Sequence, residues 1–121
     1  MEGKTTLVLG ASPKEDRYSN KAVRRLTEHG HPVIAVALRG GMIGDRPILT
    51  SVPEDTRVDT VTMYLNAANQ ERWIPIILGL GPRRIIFNPG AENERLLRMA
   101  DQQGIEVVEA CTLVMLATGQ Y

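Results

Sequence analysis

Short apolar runs alternate with amphipathic stretches along the whole chain of 121 residues. The apolar runs predict buried strands, because a short continuous apolar run suits a strand covered on both faces. They occupy residues 7–9, 32–37, 59–65, 83–87 and 105–108. Apolar positions at helical spacing, with polar residues between them, predict helices over residues 20–29, 68–78, 92–103 and 112–118. This alternation predicts one α/β domain over residues 1–121, with a mostly parallel sheet of about five strands.

The turn after the first apolar run has the composition of a phosphate-binding turn. Gly10 ends the run, and a glycine there permits a tight turn that a ligand can approach closely. Ser12 adds a hydroxyl group and an N–H group. Ser19 or Asn20 is expected to cap the next helix, whose N–H groups and dipole favour an anion. Together these features predict a nucleotide-phosphate site in a doubly wound domain with helices on both faces. The alternative is a plain strand-to-helix loop, since only one glycine of a G-x-G-x-x-G motif is present.

The segment after the second predicted strand indicates which nucleotide would fit. Proteins that hold NAD usually place an acidic residue there, whereas this chain has Arg39. A guanidinium pairs with phosphate through two parallel hydrogen bonds, so Arg39 suits a phosphorylated ribose, either of NADP or of coenzyme A. Gly40, Gly41 and Gly44 predict a loop that closes over a flat base, and Ile43 is a candidate apolar contact to an adenine. The alternative for Arg39 is a solvated loop residue.

Other polar residues at predicted strand ends are candidates either for ligand contacts or for structural roles. Asn66 follows the third predicted strand and is a candidate ligand contact, although capping the next helix is the favoured role. Asn88 and Asn93 either bind the ligand or shape the turn between a strand and a helix. Trp73 is expected to pack its helix against the sheet, since a tryptophan buries a large apolar area.

No catalytic set is evident in the sequence. His29 and His31 flank a predicted helix end on the side opposite the phosphate turn, so we interpret them as surface residues. The single cysteine, Cys111, precedes a helix, and an inert buried thiol is favoured over a reactive one. The spacing of histidine, cysteine and carboxylate residues gives no metal-binding pattern.

Charge and composition limit the classes of partner. Lys and Arg together number 14, and so do Asp and Glu, so the formal net charge of zero argues against a general nucleic-acid binder. No apolar run approaches the roughly 18 residues of a membrane-spanning helix, and the first residues have no signal-peptide pattern. With one cysteine and no disulfide, the chain is expected in the cytoplasm. The last helix is apolar on most faces, which indicates either packing on the core or the interface of a homodimer.

Several stretches together resemble the small stand-alone CoA-binding proteins. These stretches are residues 9–23, the glycines Gly40, Gly41 and Gly44, and residues 87–93 and 108–113. Members of that family are single Rossmann-like domains, similar to the CoA-binding domain of the succinyl-CoA synthetase α subunit. The similarity covers essentially the whole chain.

The resemblance implies a location for each part of a coenzyme A molecule. Gly10, Ala11 and Ser12 would lie under the diphosphate, with Arg17 and Tyr18 nearby. Arg39 would lie beside the 3′-phosphate of the adenosine, and the glycine loop beside the adenine. The predicted ligand residues combine those that the resemblance implies with those inferred from the sequence pattern. They are Gly10, Ala11, Ser12, Arg17, Tyr18, Ser19, Arg39, Gly40, Ile43 and Asn66.

The resemblance also implies binding of coenzyme A or an acyl-CoA without conversion, because the phosphohistidine of the synthetase belongs to a second domain. Ala37 and Leu38 stand where the family commonly has Asn-Pro. Two alternatives follow from these observations. One is an NADP-linked oxidoreductase subunit whose catalytic domain is supplied by a partner chain, and the other is a regulatory or structural protein with a decayed nucleotide site.

Overall fold

Five parallel strands form the central sheet in a computed structural model of the chain, which describes residues 3–121. The strands are β1 (Thr6–Leu9), β2 (Val33–Val36), β5 (Thr60–Met63), β6 (Arg84–Phe87) and β7 (Glu106–Glu109). Their order across the sheet is β2-β1-β5-β6-β7. The strand order therefore reverses between β1 and β5, and such a switch point opens a crevice at the carboxyl ends of the strands. The predicted parallel α/β sheet is confirmed. Residues 1 and 2 of the predicted domain lie outside the described residues.

Helices cover both faces of this sheet, as predicted. One face carries α1 (Tyr18–Glu28) and α5 (Thr112–Ala117), and the other carries α2 (Ala67–Gln70), a 3₁₀ turn (Glu71–Trp73), α3 (Ile74–Leu80) and α4 (Glu94–Gln102). Successive strand residues point to opposite faces, so Val8 packs with Leu26 and Leu116 on the first face. On the second face, Leu7 and Leu9 join a larger apolar core that includes Trp73 and Leu96.

A small hairpin lies beside β2 and outside the main sheet. Its strands are β3 (Gly41–Ile43) and β4 (Arg46–Ile48), which pair in antiparallel fashion. After β4, the Leu49 N–H donates to the Ala35 carbonyl at 2.8 Å, and the Leu49 carbonyl accepts from the Ala37 N–H at 2.9 Å. The predicted glycine loop is therefore partly a strand. Pro47 lies in the middle of β4.

The helix predicted over residues 68–78 is wrong in its continuity and its end. The structure divides this stretch into α2, the 3₁₀ turn and α3. Pro75 lies in the first turn of α3, where its missing N–H breaks no helical hydrogen bond. The helix continues through Gly79, beyond the predicted end at residue 78, and Gly81 ends it with φ 57°. Trp73 is 4% exposed in the core, which confirms its predicted packing.

Within residues 3–121, no helix combines the length and the apolar character needed to cross a membrane.

Candidate functional site

A cleft of about 390 Å³ opens at the carboxyl ends of β1 and β5, where the strand order reverses. Its lining comes from the turn after β1, the first turn of α1 and the residues that follow β5 and β6. The lining residues are Gly10, Ser12, Arg17, Tyr18, Ser19, Tyr64 and Pro89. The structure thus brings five of the predicted ligand residues together, namely Gly10, Ser12, Arg17, Tyr18 and Ser19. The other five, Ala11, Arg39, Gly40, Ile43 and Asn66, are not part of this lining. Ala11 is 7% exposed and packs in the core beside the turn.

The turn at the base of the cleft requires a glycine. Gly10 has φ +98°, which L side chains rarely adopt. A Cβ atom at this position would also lie 3.1 Å from the backbone carbon of Tyr64 and 3.1 Å from the Leu65 side chain. The N–H groups of Gly10 and Ala11 both donate to the Val36 carbonyl, at 2.9 and 3.2 Å. The end of β1 is therefore fixed against β2 on one side and against the residues after β5 on the other.

The N-terminus of α1 has no side-chain cap, so the predicted cap at Ser19 or Asn20 is wrong. The helix begins at Tyr18, and the residue before it, Arg17, has extended backbone and no capping hydrogen bond. Ser19 and Asn20 lie inside the first turn, 5% and 1% exposed. The Asn20 side chain does not cap the helix, because it is buried and its amide donates to the Ser12 carbonyl at 2.9 Å.

The missing cap leaves backbone donors at the wall of the cleft. Residues 3–121 provide no hydrogen-bond acceptor for the N–H groups of Tyr18, Ser19 and Asn20. The first N–H groups of a helix carry a partial positive charge and need an acceptor from outside the helix. Two of these three residues line the cleft. The arrangement therefore favours an anion between the glycine turn and α1.

The hairpin segment flanks the same turn. A Cβ atom at Gly41 would lie 3.4 Å from the Pro13 ring, so β3 packs directly against the residues that follow Ser12. Arg39 and Gly40 precede β3 and are exposed. Arg39 forms no ion pair within the described part of the chain. Its guanidinium is therefore free to meet an anion in solution.

The other two predicted ligand residues have structural contacts in this structure. Ile43 is 6% exposed and packs in the core under α1. The Asn66 side chain accepts from the Asn69 N–H at 2.9 Å and caps α2, which is the role that the sequence favoured. Their contacts to an adenine and to a ligand stay predictions.

Tyr64 lines the cleft but was not among the ligand residues predicted from the sequence. It follows β5 directly, and its N–H donates to the Leu9 carbonyl at 2.9 Å. Its hydroxyl oxygen is buried without a hydrogen-bond partner in residues 3–121. Burial raises the pKa of Tyr64 well above its ordinary value, so the hydroxyl stays protonated. Its position next to β1 in the predicted sheet was the available signal.

Two asparagines that the sequence left open between ligand and turn prove to be structural. Asn88 donates to the Thr62 hydroxyl at 2.7 Å and accepts from the Thr112 N–H at 2.8 Å, which ties β6 to β5 and α5. Asn93 caps α4 and donates to the Gln70 side chain at 2.9 Å. Both amides are buried and occupied.

The remaining chemically active residues lie outside the cleft lining. His29 is exposed, and His31 accepts from the Lys4 N–H at 2.9 Å at the amino end of the sheet. Cys111 is half-buried just before α5. No group of three His, Cys, Asp or Glu residues that could hold a metal ion occurs among residues 3–121.

Comparison with protein families gives a match over nearly the whole chain. Residues 4–117 match a family model described as a CoA binding domain. Among curated proteins, none matches the chain.

Solved structures share the fold over 83% or more of their own length. An uncharacterised protein of known crystal structure is 45% identical in sequence, with a TM-score of 0.95 and complete coverage of both chains. A hypothetical protein from Pyrococcus horikoshii OT3 is 22% identical, with a TM-score of 0.87 over 96% of this chain and 83% of that one. A protein from Thermus thermophilus is 23% identical, with a TM-score of 0.84 over 98% and 91%. The last two similarities concern the fold alone.

Proposed function

Because this chain belongs to the CoA binding domain family, we propose that it binds coenzyme A, or an acyl-CoA, in the cleft between Gly10 and α1 without catalysing a reaction of its own. The protein would bind this small-molecule nucleotide in the cytoplasm. The family supports coenzyme A binding in general.

The uncapped N-terminus of α1 carries this proposal. A diphosphate offers several acceptor oxygens and negative charge, and the N–H groups of Tyr18 and Ser19 lack acceptors at the wall of the cleft. Gly10 makes the tight turn at the base possible, because its φ of +98° and its close approach to the Tyr64 backbone exclude a side chain. Ser12 adds a hydroxyl at the same edge, and Arg17 adds a positive charge. The residues present therefore fit a diphosphate, the group that joins the adenosine and pantetheine parts of coenzyme A.

Arg39 would distinguish coenzyme A from nucleotides that lack an additional phosphate. It stands on the exposed loop between β2 and β3, and β3 packs against Pro13 beside the phosphate turn. We therefore propose that a ligand whose diphosphate lies at Gly10 directs its adenosine end toward this loop. The guanidinium would pair with the 3′-phosphate of the ribose.

The test is thermal stabilisation of the purified chain by coenzyme A, dephospho-CoA, NAD and NADP, because a ligand that binds only the folded state raises the melting temperature. Coenzyme A is expected to stabilise most. Arg39→Gln should weaken coenzyme A binding by about fivefold to tenfold and leave dephospho-CoA binding unchanged. Arg57→Gln is the matched control, since Arg57 is an exposed arginine that precedes β5 at the opposite end of the sheet.

The alternatives give different results in the same experiment. Stabilisation by NADP and not by coenzyme A would support an NADP-linked subunit instead. Stabilisation by none of the four at millimolar concentration would support a decayed site with a regulatory or structural role. Mass spectrometry of any ligand released from the protein purified from cells would identify an acyl group.

The homodimer suggested by the sequence stays a prediction. α5 packs its buried residues Met115 and Leu116 onto the molecule, as expected, while Val114 is 57% exposed. Sedimentation of the wild-type chain and of Val114→Lys would test whether this face associates.

A further inference from the structure

Side chains from α1 hold the backbone of the phosphate turn from outside the cleft. The Asn20 amide nitrogen donates to the Ser12 carbonyl at 2.9 Å. The Asn20 amide oxygen in turn accepts from the Arg24 Nε at 2.8 Å. The Arg24 Nη2 donates to the Glu15 carbonyl at 3.0 Å. Asn20 is 1% exposed, so both polar atoms of a buried amide are satisfied by this chain of contacts, which we term the turn brace.

The turn brace fixes which way the peptide groups of the turn point. In a planar trans peptide, the carbonyl and the N–H of the same unit point in opposite directions. The Glu15 carbonyl is directed to Arg24, and the Lys14 carbonyl accepts from the Arg17 N–H at 3.1 Å. The Ser12 carbonyl is directed to Asn20. Three carbonyl oxygens, each a repulsive partner for an anion, are therefore occupied by donors.

We propose that Asn20 and Arg24 are positioning residues for diphosphate binding, because they hold the carbonyl groups of Ser12 and Glu15 in these hydrogen bonds and so keep the turn shaped for an anion. This inference rests on the proposed function. Neither side chain lines the cleft. They act through the backbone of the turn, in contrast to Arg39, which would contact the ligand.

The hydrogen bonds of Arg24 matter here more than its charge. A guanidinium is a planar fork that donates to Asn20 and Glu15 at the same time. A lysine at this position keeps the charge, but its single ammonium group lacks that fork. The adjacent Arg25 is also exposed, carries the same charge and makes no side-chain hydrogen bond in the described structure. Arg24→Lys, Arg24→Gln and Arg25→Gln therefore separate hydrogen bonding from charge.

The experiment measures two quantities on these variants. The first is the affinity for coenzyme A and for dephospho-CoA, both of which contain the diphosphate. Arg24→Lys and Arg24→Gln should each lose about fivefold in affinity for both ligands, the equivalent of one net hydrogen bond. Arg25→Gln should change neither affinity by more than about twofold. Asn20→Ala should lose more than the Arg24 variants, since it removes the contact to Ser12 itself.

The second quantity is amide hydrogen exchange in the ligand-free protein. The N–H groups of Lys14 and Arg17 are hydrogen-bonded inside the turn, to the Ser12 hydroxyl and the Lys14 carbonyl. Their exchange should accelerate by about fivefold in the Arg24 variants. The exchange of Leu26, in the buried part of α1, should stay unchanged, so a general loss of stability is recognisable by its effect there.

The outcomes distinguish this inference from the proposed function. Wild-type affinities in Arg24→Lys, or equal exchange at Lys14 and Arg17, would overturn the role of the turn brace. A wild-type chain that binds neither ligand would overturn the proposed function, and the exchange measurement would still decide whether Arg24 shapes the turn. A loss confined to coenzyme A would show that Arg24 acts on the 3′-phosphate instead, and would also overturn the inference.

Discussion

Gly10 is the residue on which the shape of the cleft depends most. Gly10→Ala is expected to destabilise the fold by about 2–4 kcal/mol, because φ +98° is unfavourable for alanine and its Cβ would lie 3.1 Å from the Tyr64 backbone. The free energy of unfolding in urea measures the change. The variant should also weaken coenzyme A binding, since relief of the contacts with Tyr64 and Leu65 would shift the backbone of the turn.

Gly90→Ala is the matched control for Gly10→Ala. Gly90 has φ +90°, close to that of Gly10, but a Cβ atom added there would meet no other atom within 4 Å. This variant should show only the backbone strain, about 1 kcal/mol. Equal destabilisation of the two variants would contradict the claim that close contact with Tyr64 and Leu65, in addition to φ, requires a glycine at position 10.

Asp59 is expected to make the free energy of unfolding decrease as the pH falls into the acidic range. Its burial disfavours the charged form, but hydrogen bonds from Arg83, at 3.1 Å, and from the Thr60 hydroxyl, at 2.7 Å, outweigh burial and hold the pKa of Asp59 below its usual value. A carboxyl group whose pKa is lowered by folding adds stability above the pKa of the unfolded chain. That stability is lost as the pH falls through the folded pKa. The loss should therefore occur below about pH 4.

Urea unfolding of wild type and Asp59→Asn between about pH 6 and pH 2 measures this contribution. The difference should be about 0.5–1 kcal/mol at pH 6 and close to zero at pH 2, because the Arg83 partner is half exposed to solvent. Glu106→Gln is the control, since Glu106 meets the same arginine at 3.5 Å with both side chains more than half exposed. A pH-independent difference for Asp59→Asn would refute the ion-pair explanation.

At the scale of elements, two asparagines cap helices with different degrees of burial: Asn93 at α4 is buried, and Asn66 at α2 is exposed. Asn93 is 8% exposed; it accepts from the Leu96 N–H at 3.1 Å and donates to Gln70, which in turn donates to the Ala91 carbonyl at 2.7 Å. Asn93→Ala should cost about 2–3 kcal/mol, because it removes the cap of α4 and leaves the buried Gln70 oxygen without a donor.

Asn66→Ala should cost only about 0.5–1 kcal/mol, since this cap of α2 is exposed and holds a single N–H, that of Asn69. Chemical denaturation of both variants gives the comparison. Similar losses at the two positions would mean that the hydrogen bond between Asn93 and Gln70 adds nothing beyond ordinary capping.

The same elements explain how far the sequence predicts the structure. The apolar runs identify the five strands of the sheet, because parallel strands are buried on both faces and leave little room for polar residues. The start of α1 was predicted wrongly, because Ser19 and Asn20 are good capping residues by type. A tertiary contact to Ser12 buries Asn20 inside the helix, and no local pattern encodes that contact.

Some residues of the candidate site were predictable from the sequence and others were not. Gly10, Ser12 and the first turn of α1 were predictable, because they are continuous in sequence and meet at a strand end. Tyr64 was not among the predicted ligand residues, because it is distant from Gly10 in sequence, and its only signal was the expected position of its strand next to β1. The pairing of β5 with β1 brings it to the cleft. The sequence did not predict the hairpin that packs Ile43 in the core, and the contact of Ile43 with an adenine stays a prediction.

For the molecule as a whole, the end of the sheet opposite the cleft is closed by Tyr121. The Tyr121 hydroxyl is hydrogen-bonded to the Thr6 side chain, at the start of β1. The Arg84 guanidinium lies 4.5 Å from the centre of the Tyr121 ring and donates to the Tyr121 carbonyl at 3.2 Å. Arg84 is 4% exposed, and its Nη2 has no hydrogen-bond partner in residues 3–121. Stacking on the ring therefore partly compensates a buried positive charge.

Tyr121→Ala is expected to destabilise the fold by about 2–4 kcal/mol, because it removes a largely buried ring and leaves the Arg84 guanidinium without its cover. Tyr121→Phe should cost about 1 kcal/mol, since it removes only the hydroxyl shared with Thr6. Denaturant unfolding measures both changes, and coenzyme A titration at low temperature provides the second readout. Affinity should stay at the wild-type value in both variants, because Tyr121 lies at the amino ends of the strands and the cleft lies at their carboxyl ends. A loss of affinity in a variant that is still folded would show that the two ends of the sheet are coupled, which is contrary to this prediction.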